Sequence, residues 1–161
     1  MRKLISVYCL LLLGLVGRAQ ENLNYQKPDA AILNLADYER VPSVSMNSKK
    51  TYVLYMYRST YKSLDDLNQE EVRLGGLRLN PATNISSTAT YSSNIKLRPF
   101  SKKVETQVQG LPQNAKISNI SWSRDETKVS FTNTTDTGVE LWYIDLAKNI
   151  AHKLTEAITN C

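Results

Sequence analysis

The stretch KISNISWSRDETKVSFTNTTDTGVELWYIDLAKNIAHKLT, Lys116 to Thr155, decides the fold. Ile117 to Trp122 alternates, with Ile120 and Trp122 on one face. Ser123-Arg124-Asp125-Glu126 is a polar turn, and Thr127 to Thr132 alternates again, with Val129 and Phe131 together. Asn133 to Gly138 is a second turn. Val139 to Asp145 is a third run, in which Val139, Leu141 and Tyr143 oppose Glu140, Trp142 and Ile144. Leu146 to Asn149 turns the chain into a fourth run, Ala151 to Thr155. Period-two alternation between polar turns predicts half-buried strands. Four of them in about 40 residues is the size of one β-propeller blade.

Upstream, the pattern returns in a looser form. Val44 and Met46 alternate with Ser43 and Ser45, which predicts a short half-buried strand. Asn47 to Lys50 is a turn, and Thr51 to Arg58 is a second strand, rich in Tyr and Val. Val44-Ser45-Met46-Asn47 can be laid over Ile120-Ser121-Trp122-Ser123, Val53 over Val129 and Tyr55 over Phe131, always 76 residues apart. A constant offset is the mark of an internal repeat. Between the strands, Ser63 precedes Leu64 with Asp65 and Asp66 in the first turn, an N-cap with acids near the positive helix end. Leu64, Leu67 and Leu74 share a stripe, and Gly75-Gly76 stops the pattern, so a helix is predicted over 63–74. Leu77 to Leu79 is a brief strand. Asn80 to Asn84 is a turn, and Ile85 to Asn94 a Ser/Thr-rich loop placed where a ligand can be met. Ile95 to Phe100 and Val104 to Val108 are weaker strand candidates, and Gly110-Leu111-Pro112 closes the unit. Ala30 to Ala36 fits a helical turn or an extended run equally well.

The N-terminus has the layout of a secretory signal peptide: Met1-Arg2-Lys3, an apolar run from Leu4 to Val16, then Gly17-Arg18-Ala19 before Gln20. Cleavage between Ala19 and Gln20 is expected, and with it export to a periplasmic or extracellular compartment. The apolar run is shorter than the ~20 residues of a membrane span. Loss of Arg2, Lys3 and Arg18 brings the formal charge from +5 to +2. That balance argues against a nucleic-acid partner. Cys9 is lost as well, which leaves Cys161 without an intrachain partner.

Few residues carry chemistry. G-x-S-x-G does not occur in the chain, and His152, its one His, falls in an amphipathic strand. No catalytic, cofactor-binding or metal-binding residue is assigned. Asp65-Asp66 and Glu70-Glu71 are expected on a solvated helix face, and Lys49-Lys50 and Lys102-Lys103 in turns. Asn84, Asn119 and Asn133 head glycosylation sequons that matter only in a eukaryotic secretory pathway. Tyr52, Tyr55 and Tyr57 are expected to pack on a sheet.

Ser121-Trp122-Ser123-Arg124-Asp125-Glu126-Thr127-Lys128-Val129-Ser130-Phe131-Thr132 resembles the S-W-S-P-D-G-K-x-I-A-F-T signature of TolB-like and peptidase propellers. Arg124 replaces the usual Pro and Glu126 the usual Gly, so the turn is less pre-organised. Gly138 to Asp145 is similar to the third strand, x-E-L-W-V-x-D. Trp122, Ser123, Asp125, Phe131, Trp142 and Asp145 are the structural residues of this blade signature. Leu74-Gly75-Gly76-Leu77-Arg78-Leu79-Asn80-Pro81-Ala82-Thr83-Asn84 and Gly110-Leu111-Pro112-Gln113-Asn114-Ala115-Lys116-Ile117-Ser118-Asn119-Ile120-Ser121-Trp122 resemble segments of the prolyl oligopeptidase family, in its glutamyl-endopeptidase-like branch. The lead-in residues Tyr25 to Pro28, Ile32 to Asp37 and Pro42 to Ser45 resemble the start of its exported members. The resemblance implies a propeller that restricts access to, and positions peptide for, a Ser-Asp-His hydrolase domain.

The expected architecture is mainly β: an incomplete β-propeller of about two four-stranded antiparallel blades with one short inserted helix. Its segments are a signal peptide (1–19), a lead-in (20–40), a first blade carrying the insertion (41–112), a second blade (113–156) and a truncated tail (157–161). The expected role is that of a non-catalytic N-terminal propeller fragment of an exported serine peptidase. Peptide substrate is met only within a full-length peptidase, with no stable membrane span after cleavage. The alternative is a small exported TolB-like binding module that acts through a protein partner at a sheet edge.

Overall fold

Lys128 to Thr132 does lie in a strand, flanked on both sides by an antiparallel neighbour within a four-stranded sheet. The structure is a computed structural model that describes residues 26–158. It divides into two bodies, residues 1–37 and 38–161. In the first, Ala30–Ala36 is helical (α1), which resolves the ambiguity of that run. The cleavage pair Ala19 and Gln20, and Cys9 and Cys161, lie outside the described residues.

The second body is mainly β. Its first sheet contains β1 (Ser43–Met46), β2 (Tyr52–Tyr57), β5 (Asn94–Pro99) and β6 (Thr106–Gln107), in the order β1-β2-β5-β6. Between β2 and β5 lie helix α2 (Leu64–Leu67) and the hairpin β3 (Val72–Leu74) with β4 (Leu77–Leu79). The second sheet contains β7 (Ile117–Trp122), β8 (Lys128–Thr134), β9 (Val139–Asp145) and β10 (Ile150–Lys153), each antiparallel to the next. Both sheets are open, and no barrel closes among the described residues.

One hydrophobic core lies between the sheets. Leu54, Ile95 and Leu97 come from the first, and Ile117, Val129, Phe131, Ile144 and Ala151 from the second. Phe131 and Trp142 stack with ring centroids 6.1 Å apart. Strand β7 reaches this core at both ends only because it is bulged. Ile117 pairs with Asn133 and Trp122 with Val129, although the two β7 residues are five positions apart. Strict alternation would turn one of them outward. The extra residue, Asn119 at φ 51°, restores the phase.

The 76-residue offset is written into the backbone. Met46 pairs with Val53 as Trp122 pairs with Val129. Lys50 N donates to Asn47 O at 3.0 Å, and Glu126 N to Ser123 O at 2.9 Å. Lys50 and Glu126 hold the same left-handed conformation, φ 55° and 60°. Equivalent faces nonetheless have different surroundings. Val129 and Phe131 point into the shared core, whereas Val53 and Tyr55 lie on the face of the first sheet turned away from Leu54. The sheets therefore pack head to tail, one face of one against the opposite face of the other.

Three sequence expectations are corrected. Helix α2 stops at Leu67 rather than at Leu74. Its start follows the sequence: Ser63 Oγ accepts from Asp66 N, and the Asp66 carboxylate accepts from Ser63 N. Beyond Leu67, Val72–Leu74 is extended, and Gly75 and Gly76 (φ 53° and 94°) form a two-residue hairpin turn rather than a helix stop. Two positive φ angles in succession are what such a turn demands. The leucine stripe is not a buried face, since Leu64 is 85% exposed. Finally, β1 turns its polar side inward. Val44 and Met46 are exposed, while Ser45 Oγ accepts a 2.9 Å hydrogen bond from Trp122 Nε1.

Candidate functional site

The signature residues build a turn and a core rather than a reactive centre. Asp125 Oδ1 lies 2.7 Å from Ser123 Oγ, and Asp125 Oδ2 accepts from Thr127 Oγ1 at 2.7 Å. The Ser123 and Thr127 hydroxyls hold the Asp125 carboxyl down to about 2. Asp145 Oδ1 accepts from Ala147 N and Lys148 N, which shapes the turn into β10. Trp142 Nε1 donates to Glu140 Oε2 at 2.8 Å. That carboxylate also accepts from Asn133 Nδ2 at 3.0 Å, and Lys153 Nζ lies 2.8 Å from its other oxygen. Asn133 is 5% exposed and its amide is engaged on both sides, so a glycan there is incompatible with this packing. His152 stacks on Tyr143 at 5.1 Å, as an exposed packing residue.

Glu126, the departure from the motif's Gly, has a use. Its carboxylate accepts from Asn47 Nδ2 at 2.8 Å and from Ser48 N and Lys49 N, both at 3.1 Å. It thus ties the turn of the second sheet to the equivalent turn of the first. Gly would sit more easily at φ 60° but has no carboxylate. Glu126→Ala, which keeps the strained backbone and removes the link, is expected to lower the melting temperature. Glu126→Gly should recover part of the loss. A variant Ala as stable as the parent would show that the link contributes nothing.

The insertion shapes a large cleft. It encloses about 710 Å³ between the segment after β2, helix α2, the loop that follows the hairpin, and the linker entering β7. Arg58 ends the strand side, Ser63 and Asp66 come from the cap of α2, and Asn80 and Thr83 from beyond the hairpin. The Ser/Thr-rich loop contributes Ser86, Ser87 and Thr90, and the second sheet adds Lys116, Thr134 and Thr135. Lys116 Nζ and Asp66 Oδ1, 2.8 Å apart, join the insertion to the base of β7. The Lys116 ammonium beside Asp66 holds its carboxyl below the usual range, against the opposing effect of burial. At the edge of the insertion, Glu71 receives Arg78 at 2.9 Å, Arg73 at 2.8 Å and the Ser87 hydroxyl. Those three donors, Arg78 foremost, draw its carboxyl down to about 2. The expectation of idle carboxylates on a helix face is therefore corrected for Asp66 and Glu71, because the helix ends early and the chain folds back over them. The sequence did not single out Arg58, Lys116 or Thr134. Only the folding-back of the insertion brings them together.

Asp66, Glu71, Asp125, Glu126 and Glu140 all have folded pKa values below the ordinary 3.8 of Asp or 4.5 of Glu. A depressed carboxyl contributes stability that is fully present above its unfolded pKa and is lost as pH falls through the folded value. The urea midpoint is thus expected to hold down to about pH 5 and then to fall steeply toward pH 2. A midpoint constant between those limits would contradict these ion pairs and turns.

Among the described residues no three His, Cys, Asp or Glu side chains gather as a metal site, and no helix is long and apolar enough to cross a membrane. No protein-family model matches the chain. Two curated proteins are similar to it. A probable chloroplastic glutamyl endopeptidase of Oryza sativa subsp. japonica is 26% identical over 142 residues, which cover 82% of this chain and 15% of that protein. A probable chloroplastic glutamyl endopeptidase of Arabidopsis thaliana is 23% identical over 139 residues, 81% of this chain and 14% of that protein. The chain thus spans about one seventh of the length of these relatives, and the similarity relates it to peptidase-named proteins.

Proposed function

We propose that this chain is the N-terminal, two-blade section of a β-propeller in an exported serine-peptidase-type protein. In this reading it admits and holds peptide for a hydrolase domain and carries no catalysis of its own. The observation that carries the propeller part is the head-to-tail packing. A sandwich made by two-fold pairing would bury equivalent faces against each other, whereas head-to-tail contacts generate a ring when the rotation between units closes. Here the Val129 and Phe131 face meets the Leu54 face, and the repeat-equivalent of the former, Val53 and Tyr55, is turned away from that core. On the far side of the second sheet, Leu141 and Ile150 are more than a third exposed, as a surface awaiting another sheet would be. A ring of ~4–8 such sheets is the common solution. The peptidase part rests on the two relatives, and export on the N-terminal layout.

The purified chain is expected to release no product from Glu-containing or acylated fluorogenic peptides above the buffer rate. Hydrolysis that follows the protein through purification would overturn the non-catalytic reading. The structure of the protein encoded by the complete gene is expected to place four or more four-stranded sheets around one axis. A closed two-sheet sandwich would overturn the propeller. The alternative, a small binding module with a protein partner, draws on the bare edge of β1, where Val44 is 58% and Met46 46% exposed. It predicts a stable hetero-complex of the chain by itself.

A further inference from the structure

We infer that the outer face of the second sheet receives a third unit of the same kind, one that offers an indole N–H and, shortly after it in sequence, a carboxylate. This rests on the head-to-tail stacking proposed above and names the chemistry of the next partner. Two side chains of the second sheet cross to the first, and they lie four positions apart. Trp122 Nε1 donates to Ser45 Oγ at 2.9 Å. Glu126 accepts from Asn47 Nδ2 at 2.8 Å and from Ser48 N and Lys49 N at 3.1 Å. The receiving halves of both contacts recur on the second sheet. Ser45 pairs with Leu54, and Ser121 pairs with Ser130 at the equivalent place. Ser121 is exposed, and its hydroxyl has no hydrogen-bond partner among the described residues. The receiving turn recurs too. Tyr52 N donates to Asn47 Oδ1 at 2.9 Å, and Lys128 N to Ser123 Oγ at 3.0 Å. Arg124 N and Asp125 N therefore stand where Ser48 N and Lys49 N do. Arg124 N has no acceptor among the described residues, and Asp125 N none beyond its own carboxylate. Successive turn amides form a concavity for an anion. The exposed Arg124 guanidinium adds a positive charge that Ser48 lacks, while the Asp125 carboxylate is held by Ser123 and Thr127. Leu141 and Tyr143 pair with Thr132 and Ser130 as Ile95 and Leu97 pair with Met56 and Leu54. The face thus keeps part of the apolar surface of its counterpart, but with hydroxyls in place of Leu54 and Met56, so the two polar contacts carry more of this junction. A second copy of this chain does not fit. It would bring the outer face of its own first sheet, where Met46 holds the indole position and Lys50 the carboxylate position. Met46 has no donor for Ser121, and Lys50 has no acceptor for the turn amides and repels Arg124.

The probe is the full chain extended at its C-terminus by a second copy of residues 113–158, which carries the indole and the carboxylate at the required spacing. The extended chain is expected to unfold in one urea transition with a steeper slope than the parent, because more surface is exposed at once. The Arg124 amide of the parent part should exchange about tenfold more slowly than in the unextended chain. Glu126→Ala in the appended copy alone should return that rate to the unextended value. Trp122→Phe in the appended copy should lower the urea midpoint. Ser121→Ala in the parent part should lower it by the same amount, and the two together by no more, since both remove one contact. In the unextended chain Ser121→Ala should be silent, and that chain should sediment as a monomer. A single steeper transition in which neither appended change alters the Arg124 exchange rate or the midpoint would overturn the inference and leave the stacking intact. An appended copy that stays unfolded or melts in a separate transition would count against the stacking itself, and so against both. Oligomers of the unextended chain that dissociate on Ser121→Ala would give the face to a second copy and overturn the choice of partner.

Discussion

Phe131→Ala is expected to cost about 3–5 kcal/mol, measured as a fall in the urea midpoint at an unchanged slope. Phe131 is fully buried at the centre of β8 and stacks on Trp142 within the core shared by both sheets. Removing its ring deletes contacts to both sheets at once. The surrounding strands are held in register by their ladders and cannot collapse into the space. Whole-domain stabilities are about 5–15 kcal/mol, so the variant should be near the limit of folding at room temperature. Trp122 and Trp142 both pack against this core, so their fluorescence reports its loss directly. Phe131→Leu, which keeps most of the apolar volume, should cost much less. A Phe131→Ala loss below about 1 kcal/mol would mean that the two sheets do not depend on a common core.

Glu140→Ala is expected to cost about 2–3 kcal/mol, because it strands donors rather than deleting an exposed charge. Glu140 is 9% exposed and accepts from Asn133 Nδ2 and Trp142 Nε1, with Lys153 on its second oxygen. Burial opposes its charge. Lys153, Asn133 and Trp142 outweigh that effect and hold its carboxyl below the usual Glu range. Its contribution is therefore complete above the ordinary Glu value of 4.5 and disappears as pH falls through the folded value. Glu140→Gln separates the two parts. The amide oxygen can still accept from Asn133 or Trp142, and the ion pair with half-exposed Lys153 is worth about 1 kcal/mol or less. The Gln variant should thus lose far less than the Ala variant, and its midpoint should fall less steeply in acid. Equal losses for Ala and Gln would assign the whole effect to charge and refute the hydrogen-bonded network.

The strands of the second sheet were legible because each has one wet and one dry face, which imposes a period of two that Ile117 to Lys153 shows openly. The 76-residue repeat was legible for the same reason, and its register and turn geometry reappear in the backbone. The insertion was not. Leu64, Leu67 and Leu74 imitate a helix stripe, but periodicity cannot distinguish a buried stripe from exposed leucines on a short helix followed by a hairpin. The polarity of β1 was misjudged for a related reason. Val44 and Met46 look like the buried side, yet Ser45 is drawn inward by the indole of Trp122, which lies 77 residues away.

The cleft was the least legible part. Its lining comes from segments far apart in the chain, and its charged residues are ordinary surface types until the insertion folds over the linker. By itself the sequence determined the class of structure, the existence and spacing of the two repeats and the absence of a nucleophile elbow, because these depend on neighbours within a few residues. Only the tertiary structure decided which faces meet, where Glu126 and Trp122 cross between the sheets, and that Arg58, Lys116 and Thr134 share a cavity. Those are contacts between distant parts of the chain, and no local pattern of side chains encodes a partner so far away in sequence.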